Sequence, residues 1–194
     1  MNRPTIIYTR HGQTDWNAEL RFQGRMDIPL NDTGRSQAIE NGRKLKELLS
    51  NPGVLDFVSS PLGRTRETME IIRREMSLPE ADYRIDERLI EASYGELEGT
   101  TLAEFKAANR EAHQARKRNR WHFAPPGGES HDMVLKRVAE WANGLENDTV
   151  VAGHGVVGRA LRHLLAGIEQ NEAAAFAFPQ DKIFIWRDGR EEQV

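Results

Sequence analysis

The hydrophobic positions along the chain alternate between short continuous apolar runs and longer stretches with helical spacing. The short runs predict strands at residues 5–9, 54–59, 83–86, 149–152 and 182–186. Between these runs the apolar side chains recur every three or four residues, which predicts amphipathic helices. Strands that alternate with helices are typical of α/β folds. We therefore predict a three-layer α/β/α sandwich with a mostly parallel central sheet.

Helical spacing is clearest in two segments. Residues 64–76 carry apolar side chains at i, i+3 and i+7, and Pro79 ends that helix. Ser130 is a suitable N-cap for a second helix, whose apolar face comprises Val134, Val138, Trp141 and Leu145. Two further helices are predicted after the capping sequence at residues 31–34 and behind Gly155.

Composition and charge then limit the class of protein. The 194 residues suffice for a sizeable core, and the net charge of −3 disfavours a general nucleic-acid binder. The absence of cysteine excludes disulfides, zinc–thiolate sites and a thiol nucleophile. No run of apolar residues is long enough to span a membrane or to resemble a secretion signal. We expect one domain over residues 1–194, located in the cytoplasm and not in a membrane.

Residues 102–123, called the basic segment below, are rich in cations and poor in apolar side chains. Their cations outnumber Glu104 and Glu111, and comprise Lys106, Arg110, Arg116, Lys117, Arg118 and Arg120. One interpretation is a solvated helix face, because charge runs usually lie in solvent. The other is a lid-like helical insertion, at about residues 100–128, that covers an anionic substrate.

Residues with catalytic potential follow four of the predicted strands. Arg10 and His11 follow the first strand, Arg64 the second, Glu91 the third and His154 the fourth. In a parallel sheet the carboxyl ends of the strands meet at one edge, where ligands bind. The sequence therefore predicts a single site built from these side chains.

The residue types suit phosphoryl transfer. Arg10 and Arg64 can each donate paired hydrogen bonds to phosphate oxygens, and His154 adds a donor. Their positive field would keep His11 neutral, with a ring nitrogen free to attack phosphorus. Glu91 is the candidate general acid for the leaving alkoxide and the base for the water that follows.

Residues 10–17, RHGQTDWN, extend this evidence, because with the other motifs they resemble the histidine phosphatase superfamily of phosphoglycerate mutase-like proteins. The resemblance covers about residues 5–186. It implies that His11 is the nucleophile, that Glu91 is the acid and base, and that the phosphate pocket needs neither a metal nor an organic cofactor. It further implies a substrate-binding set consisting of Asn17, Gln23, Gly24, Glu129 and Gly155.

Three functions remain open. We favour a metal-independent phosphomonoester hydrolase that acts through a phosphohistidine on a small anionic phosphorylated metabolite. The compact sequence at residues 125–130 resembles the small phosphatases, and the chain has no long basic C-terminal tail. A cofactor-dependent phosphoglycerate mutase is the alternative. The second alternative is a catalytically inactive module that binds a phosphorylated ligand. Such a module would be expected to lack His11 or Glu91, and both are present. A homodimer is left open, and neither nucleic acid nor a membrane is expected as a partner.

Overall fold

The computed structural model describes residues 3–194, which form a six-stranded mixed sheet between layers of helices. The strands are β1 (Ile6–Arg10), β2 (Asp56–Ser59), β3 (Arg84–Ile85), β4 (Thr149–Gly153), β5 (Ile183–Arg187) and β6 (Arg190–Gln193). Their spatial order is β3-β2-β4-β1-β5-β6: the first four strands are parallel to one another, β5 pairs antiparallel with β1, and β6 pairs antiparallel with β5. The predicted α/β sandwich with a mostly parallel sheet is confirmed.

Eight α-helices occur within residues 3–194. They are α1 (Asp15–Ala18), α2 (Asp32–Leu48), α3 (Gly63–Glu75), α4 (Leu102–Ala108), α5 (Arg110–Arg118), α6 (His131–Asn143), α7 (Gly155–Ala166) and α8 (Gln170–Ala175). Asn31, in the predicted capping sequence, and Ser130, the predicted N-cap, accept hydrogen bonds from backbone N–H groups in the first turns of α2 and α6. None of these helices combines the length and the hydropathy needed to cross a membrane.

The side chains of β1 show how the layers are divided. Ile6 and Tyr8 point to one face of the sheet, where they join the apolar residues of α6 and α7. Ile7 points to the other face, where it joins those of α2 and α3. Such a strand is buried on both sides, which explains its continuous apolar sequence.

The C-terminal end of the chain differs from the prediction. The predicted final strand, residues 182–186, corresponds to β5, but it is the fifth of six strands, because β6 pairs with it as a hairpin. Asp188 and Gly189 both have positive φ, as the tight turn requires. The edge strand β6 has no apolar side chain, so its sequence carries no hydrophobic pattern. Leu145 also lies beyond its predicted helix, because α6 ends at Asn143.

The basic segment folds into α4 and α5 and a following turn. A capping box opens α4, because Thr101 Oγ1 accepts from the N–H of Glu104 at 3.1 Å while Glu104 Oε2 accepts from the N–H of Thr101 at 2.7 Å. Two buried aromatic side chains attach the segment to the body: Phe105 in α4 and Trp121 after α5. Trp121 packs on the alanines of α8.

Candidate active site

A cavity of about 110 Å³ lies at the carboxyl-end edge of the parallel strands. The predicted site residues that line it are Arg10, His11, Asn17, Gln23, Gly24, Arg64, Glu91 and Gly155. The ring of His154 lies beside that of His11, with 5.3 Å between the ring centroids. Five further side chains complete the lining: Arg21, Phe22, Tyr94, Arg120 and Arg159. The four strand ends therefore converge on one cavity, as predicted.

His11 is held as a neutral ring with one free nitrogen. Its backbone N–H donates to the carbonyl oxygen of Gly153 at 2.9 Å, which extends the pairing of β1 with β4 past the strand end. Its Nδ1 lies 2.7 Å from the carbonyl oxygen of Gly12, and since a carbonyl only accepts, Nδ1 carries the proton. Burial, with Arg64 and Arg10 nearby, lowers the pKa of His11 well below its usual value. The Nε2 lone pair is therefore free.

His154 stands at the N-cap of α7 and is completely buried. Its Nε2 is hydrogen-bonded to Ser60 Oγ at 2.7 Å, and the Tyr8 hydroxyl donates to its carbonyl oxygen at 2.6 Å. Burial and the nearby guanidinium of Arg64 lower its pKa well below the usual value. Its Nδ1 is buried and has no partner among residues 3–194.

Arg64 and Arg10 are oriented by backbone carbonyls. Arg64 is 1% exposed, and its terminal nitrogens donate to Met26 O at 2.7 Å and to Gly24 O at 2.8 Å. Arg10 donates to Phe178 O at 2.8 Å. Both Nε–H groups are buried without a partner in the described part of the chain. Burial lowers the pKa of Arg64 to about 10, so it remains charged at neutral pH. The cavity thus offers two cations with free donors, as a bound phosphate requires.

The Glu91 carboxylate is fixed at the start of α7. Oε1 accepts from the backbone N–H of Ala92 at 2.9 Å and from that of Val156 at 3.2 Å. Val156 belongs to the first turn of α7, where free N–H groups and the helix dipole attract negative charge. Glu91 is 8% exposed and lines the same cavity as His11.

Asn17 and Gln23 lie at the cavity for different local reasons. A capping box with Thr14 fixes Asn17, because each side chain accepts from the backbone N–H of the other at 3.2 Å. Gln23 is buried, and its Oε1 has no hydrogen-bond partner within residues 3–194. An unsatisfied acceptor at a cavity is available to a ligand hydroxyl.

Glu129 is the predicted substrate-binding residue that lies outside the phosphate cavity, on a small cavity that shares Tyr94 and Arg120 with it. It does not line the phosphate cavity. Its carboxylate accepts from the backbone N–H of Ser93 at 3.0 Å and pairs with Arg25 at 3.1 Å and with Arg137 at 3.4 Å. These contacts brace the loop that follows Glu91. Substrate contact by Glu129 stays a prediction.

Several residues at the site were missed from the sequence: Arg21, Phe22, Tyr94, Arg159 and Gln180. Arg159 lies one helical turn after Gly155, so the i, i+4 spacing on a helix that begins at the site could have identified it. Gln180 Nε2 donates to His11 O at 3.0 Å and to Asn17 Oδ1 at 2.9 Å. Gln180 lies in a stretch of chain without hydrophobic periodicity, so no sequence pattern marked it as a site residue. In the described residues, no three or more His, Asp or Glu side chains cluster so as to hold a metal ion.

Comparisons with known proteins agree with this geometry. A family model described as Histidine phosphatase superfamily (branch 1) matches residues 6–191. The chain is 35% identical over 165 residues to phosphoglycerate mutase-like protein 4 of Arabidopsis thaliana, covering 80% of this chain and 68% of that protein. It is 34% identical over 176 residues to glucosyl-3-phosphoglycerate phosphatase of Mycolicibacterium vanbaalenii, covering 84% and 74%.

Solved structures give the same result. The mycobacterial glucosyl-3-phosphoglycerate phosphatase Rv2419c in complex with VO3 superposes with a TM-score of 0.78 at 27% identity, covering 98% of this chain and 97% of that one. Some relatives are longer, and the matched region spans 35% of the bifunctional protein Rv2228c of Mycobacterium tuberculosis. The matched family model, the fold and the phosphatase-named relatives together identify this chain as an enzyme that belongs to the histidine phosphatase superfamily.

Proposed function

We propose that this enzyme hydrolyses small anionic phosphomonoesters through a phosphohistidine on His11, without a metal ion. The observation that carries the proposal is the state of His11. Its Nδ1 is occupied by the Gly12 carbonyl, its pKa is lowered, and Nε2 is left free in a cavity lined by Arg10 and Arg64. A neutral imidazole beside buried guanidinium groups suits nucleophilic attack on a phosphate dianion.

In the first step, Arg10, Arg64 and His154 hold the phosphoryl oxygens. The Nε2 lone pair of His11 forms a bond to phosphorus while the bond to the leaving oxygen breaks. Glu91, entering the step protonated, gives its proton to that oxygen, so the alcohol leaves neutral.

In the second step, water attacks the phosphohistidine. Glu91, now a carboxylate, takes a proton from the water as its oxygen bonds to phosphorus. The bond between phosphorus and Nε2 breaks and returns its electron pair to His11. Inorganic phosphate leaves, and Glu91 is protonated for the next cycle.

Metal independence is supported by the donors at the cavity. Positioning and charge neutralisation are the main tasks in phosphoryl transfer, and guanidinium groups perform both. A mutase would use the same first step and then pass the phosphoryl group to a second hydroxyl. An inactive binding protein would not need the paired His11 and Glu91.

The test is a panel of phosphomonoesters, assayed with and without a chelator and beside 3-phosphoglycerate plus 2,3-bisphosphoglycerate. We expect chelator-resistant release of phosphate, together with an acid-labile phosphoryl group on His11 in quenched enzyme. His11→Ala should abolish both signals, whereas His122→Ala, a change at an exposed histidine, should preserve both. Chelator-sensitive turnover, mutase turnover above hydrolysis, or full activity of His11→Ala would each contradict the proposal.

A further inference from the structure

The backbone on each side of Glu91 is held by a side chain that does not line the phosphate cavity. On the C-terminal side, Glu129 accepts from the N–H of Ser93 at 3.0 Å. On the N-terminal side, Arg137 donates to the carbonyl oxygen of Arg88 at 2.5 Å. The chain is therefore fixed at two points that flank the proposed acid and base.

Arg25 joins these two side chains into one ion-pair network. The carboxylate of Glu129 pairs with Arg25 at 3.1 Å and with Arg137 at 3.4 Å. Arg25 Nε also donates to the carbonyl oxygen of Glu91, at 3.5 Å. We call Arg25, Glu129 and Arg137 the Glu129 network, and residues 88–93 the Glu91 loop. The network thus contacts the loop at its start, its middle and its end.

The part of the network between Glu129 and Arg137 is shielded from solvent. Their side chains are 16% and 17% exposed, whereas that of Arg25 is 45% exposed. Burial disfavours the ionised form of Glu129, but the N–H of Ser93 and the guanidinium of Arg137 outweigh this effect and hold the pKa of Glu129 below its usual value. Salt screens shielded ion pairs less than exposed ones. We therefore expect Arg137 to matter more than Arg25.

The network supplies what the contacts of the Glu91 carboxylate cannot. The backbone N–H groups of Ala92 and Val156 donate to that carboxylate. Hydrogen bonds to an ionised acceptor are about twice as strong as neutral ones, so these contacts weaken whenever Glu91 is protonated. In the proposed reaction Glu91 begins the first step protonated and the second step ionised. The contacts of Glu129 and Arg137 with the backbone do not depend on that proton, so they hold the loop in both steps.

We propose that Glu129, with Arg25 and Arg137, positions Glu91 for proton transfer and does not contact the substrate. Glu129 is then a positioning residue, which acts on the reaction through the Glu91 loop. This inference rests on the proposed function, in which Glu91 is the acid and the base. It gives a different role to a residue that the family resemblance places in the substrate-binding set.

Two leaving groups test whether Glu129 acts through Glu91. An alkyl phosphate requires a proton in the first step, whereas p-nitrophenyl phosphate does not. On the alkyl phosphate that the parent hydrolyses fastest, we expect Glu129→Gln to slow the single-turnover first step by about tenfold, with little change in KM. The reason is that a misplaced catalytic group costs rate more than ground-state binding. The first step on p-nitrophenyl phosphate should stay near the parental rate.

Further substitutions separate the network from its surroundings. Arg137→Gln should slow the same step with the same dependence on the leaving group, and Arg25→Gln should do so less. Glu129→Asp should recover part of the lost rate, because it keeps the charge on a side chain that is one methylene shorter. Lys136→Gln and Glu140→Gln, at exposed positions of α6, should leave both rates at the parental values.

Two measurements distinguish this role from a purely structural one. In the Glu91→Gln background, Glu129→Gln should add little further loss of rate, since the network acts through Glu91. Hydrogen exchange of peptides that cover the Glu91 loop should be faster in Glu129→Gln, while peptides that cover α2 keep the parental exchange. Thermal melting checks that each variant folds, and Arg137→Gln takes the place of Glu129→Gln should the latter unfold.

Equal slowing with both leaving groups would overturn the positioning role, and so would additive losses in Glu91→Gln/Glu129→Gln. A raised KM at the parental first-step rate would also overturn it, and would show that Glu129 contacts the substrate. A failure of the proposed function looks different, because Glu91→Gln itself would then slow both leaving groups equally. In that event hydrogen exchange decides whether Glu129 holds the loop: faster exchange supports the positioning role and parental exchange overturns it.

Discussion

The carboxylate of Glu91 accepts the backbone N–H of Val156 with both oxygens, at 3.2 Å to Oε1 and 3.3 Å to Oε2. Val156 follows His154 and Gly155 at the start of α7. The same helix start therefore fixes the ring of His154 and the carboxylate of Glu91, the proposed acid and base. A shift of α7 would move both groups relative to His11, so the packing of this helix on the sheet sets the geometry of the site.

The substitution Glu91→Gln tests whether Glu91 gives a proton to the leaving group, because leaving groups differ in their need for one. A sugar or glycerol alkoxide needs a proton as it leaves, whereas p-nitrophenolate does not. We expect Glu91→Gln to lower kcat on alkyl phosphates by about 10²–10⁴-fold, and to affect p-nitrophenyl phosphate much less when its first step is measured by burst kinetics.

Glu96→Gln is the matched control, because Glu96 follows in the same loop and is exposed. It should behave as the parent on both substrates. Equal losses for the two leaving groups in Glu91→Gln would show that Glu91 positions the site without transferring a proton.

The convergence of the site was predictable because it depends on chain order alone. His11, Arg64 and His154 each follow a strand of the parallel part of the sheet, and parallel strands bring their carboxyl ends together whatever the loops do. The alternation of Ile6, Ile7 and Tyr8 between two cores is likewise a local property of a strand.

What the sequence did not reveal depends on contacts between distant segments. Gln180 reaches His11 across 169 residues, and no local pattern marks its stretch of chain. Glu129 has a sequence context that suits substrate binding, yet its carboxylate pairs with Arg25, 104 residues away in the chain, as well as with the nearby Arg137. Arg120 lines the cavity next to Trp121, and Trp121 is buried against α8, about fifty residues further along the chain.

Gln180 should prove to be a positioning residue. Its amide holds the carbonyl of His11 and the side chain of Asn17, and it does not line the cavity. We expect Gln180→Ala to lower kcat by about tenfold with a small change in KM, since misplacement of a nucleophile costs rate more than ground-state binding. Gln180→Asn should not recover the rate fully, because its amide is one methylene shorter. Gln114→Ala, at an exposed glutamine, is the control, and a parental kcat for Gln180→Ala would contradict the role.

Buried histidines should make folding stability fall in mild acid. Burial lowers the pKa of His131 to about 2 and holds the pKa values of His11 and His154 well below 6.5. The unfolded chain therefore binds protons below about pH 6.5 that the folded chain does not, and stability is lost as pH falls through that value. Each such histidine contributes up to about 1.4 kcal/mol per pH unit. Urea unfolding at pH 7, 6 and 5 measures the slope.

The variant His131→Gln measures how much of this pH dependence of the unfolding free energy comes from one histidine. His131→Gln removes one proton-binding difference, so its unfolding free energy should vary less steeply with pH than that of the parent. His122→Gln, at an exposed histidine, should keep the parental slope. Parallel curves for His131→Gln and the parent would show that His131 takes up its proton equally in both states.

The loop that contains His11 and Gln13 packs closely on α2, so we expect that Gly34 cannot be replaced by a residue with a side chain. A Cβ at this position would lie 2.1 Å from the carbonyl oxygen of Gln13 and 2.6 Å from its nitrogen, so the backbone of the loop must move. Alanine favours helix by about 1 kcal/mol, but overpacking against backbone costs about 1–3 kcal/mol or more. We therefore expect Gly34→Ala to lower the free energy of unfolding in urea and, by displacing His11, to lower kcat. Gly53→Ala is the control, because its Cβ would meet nothing closer than 3.8 Å. A Gly34→Ala protein with parental stability and kcat would show that α2 and the loop can separate without disturbing His11.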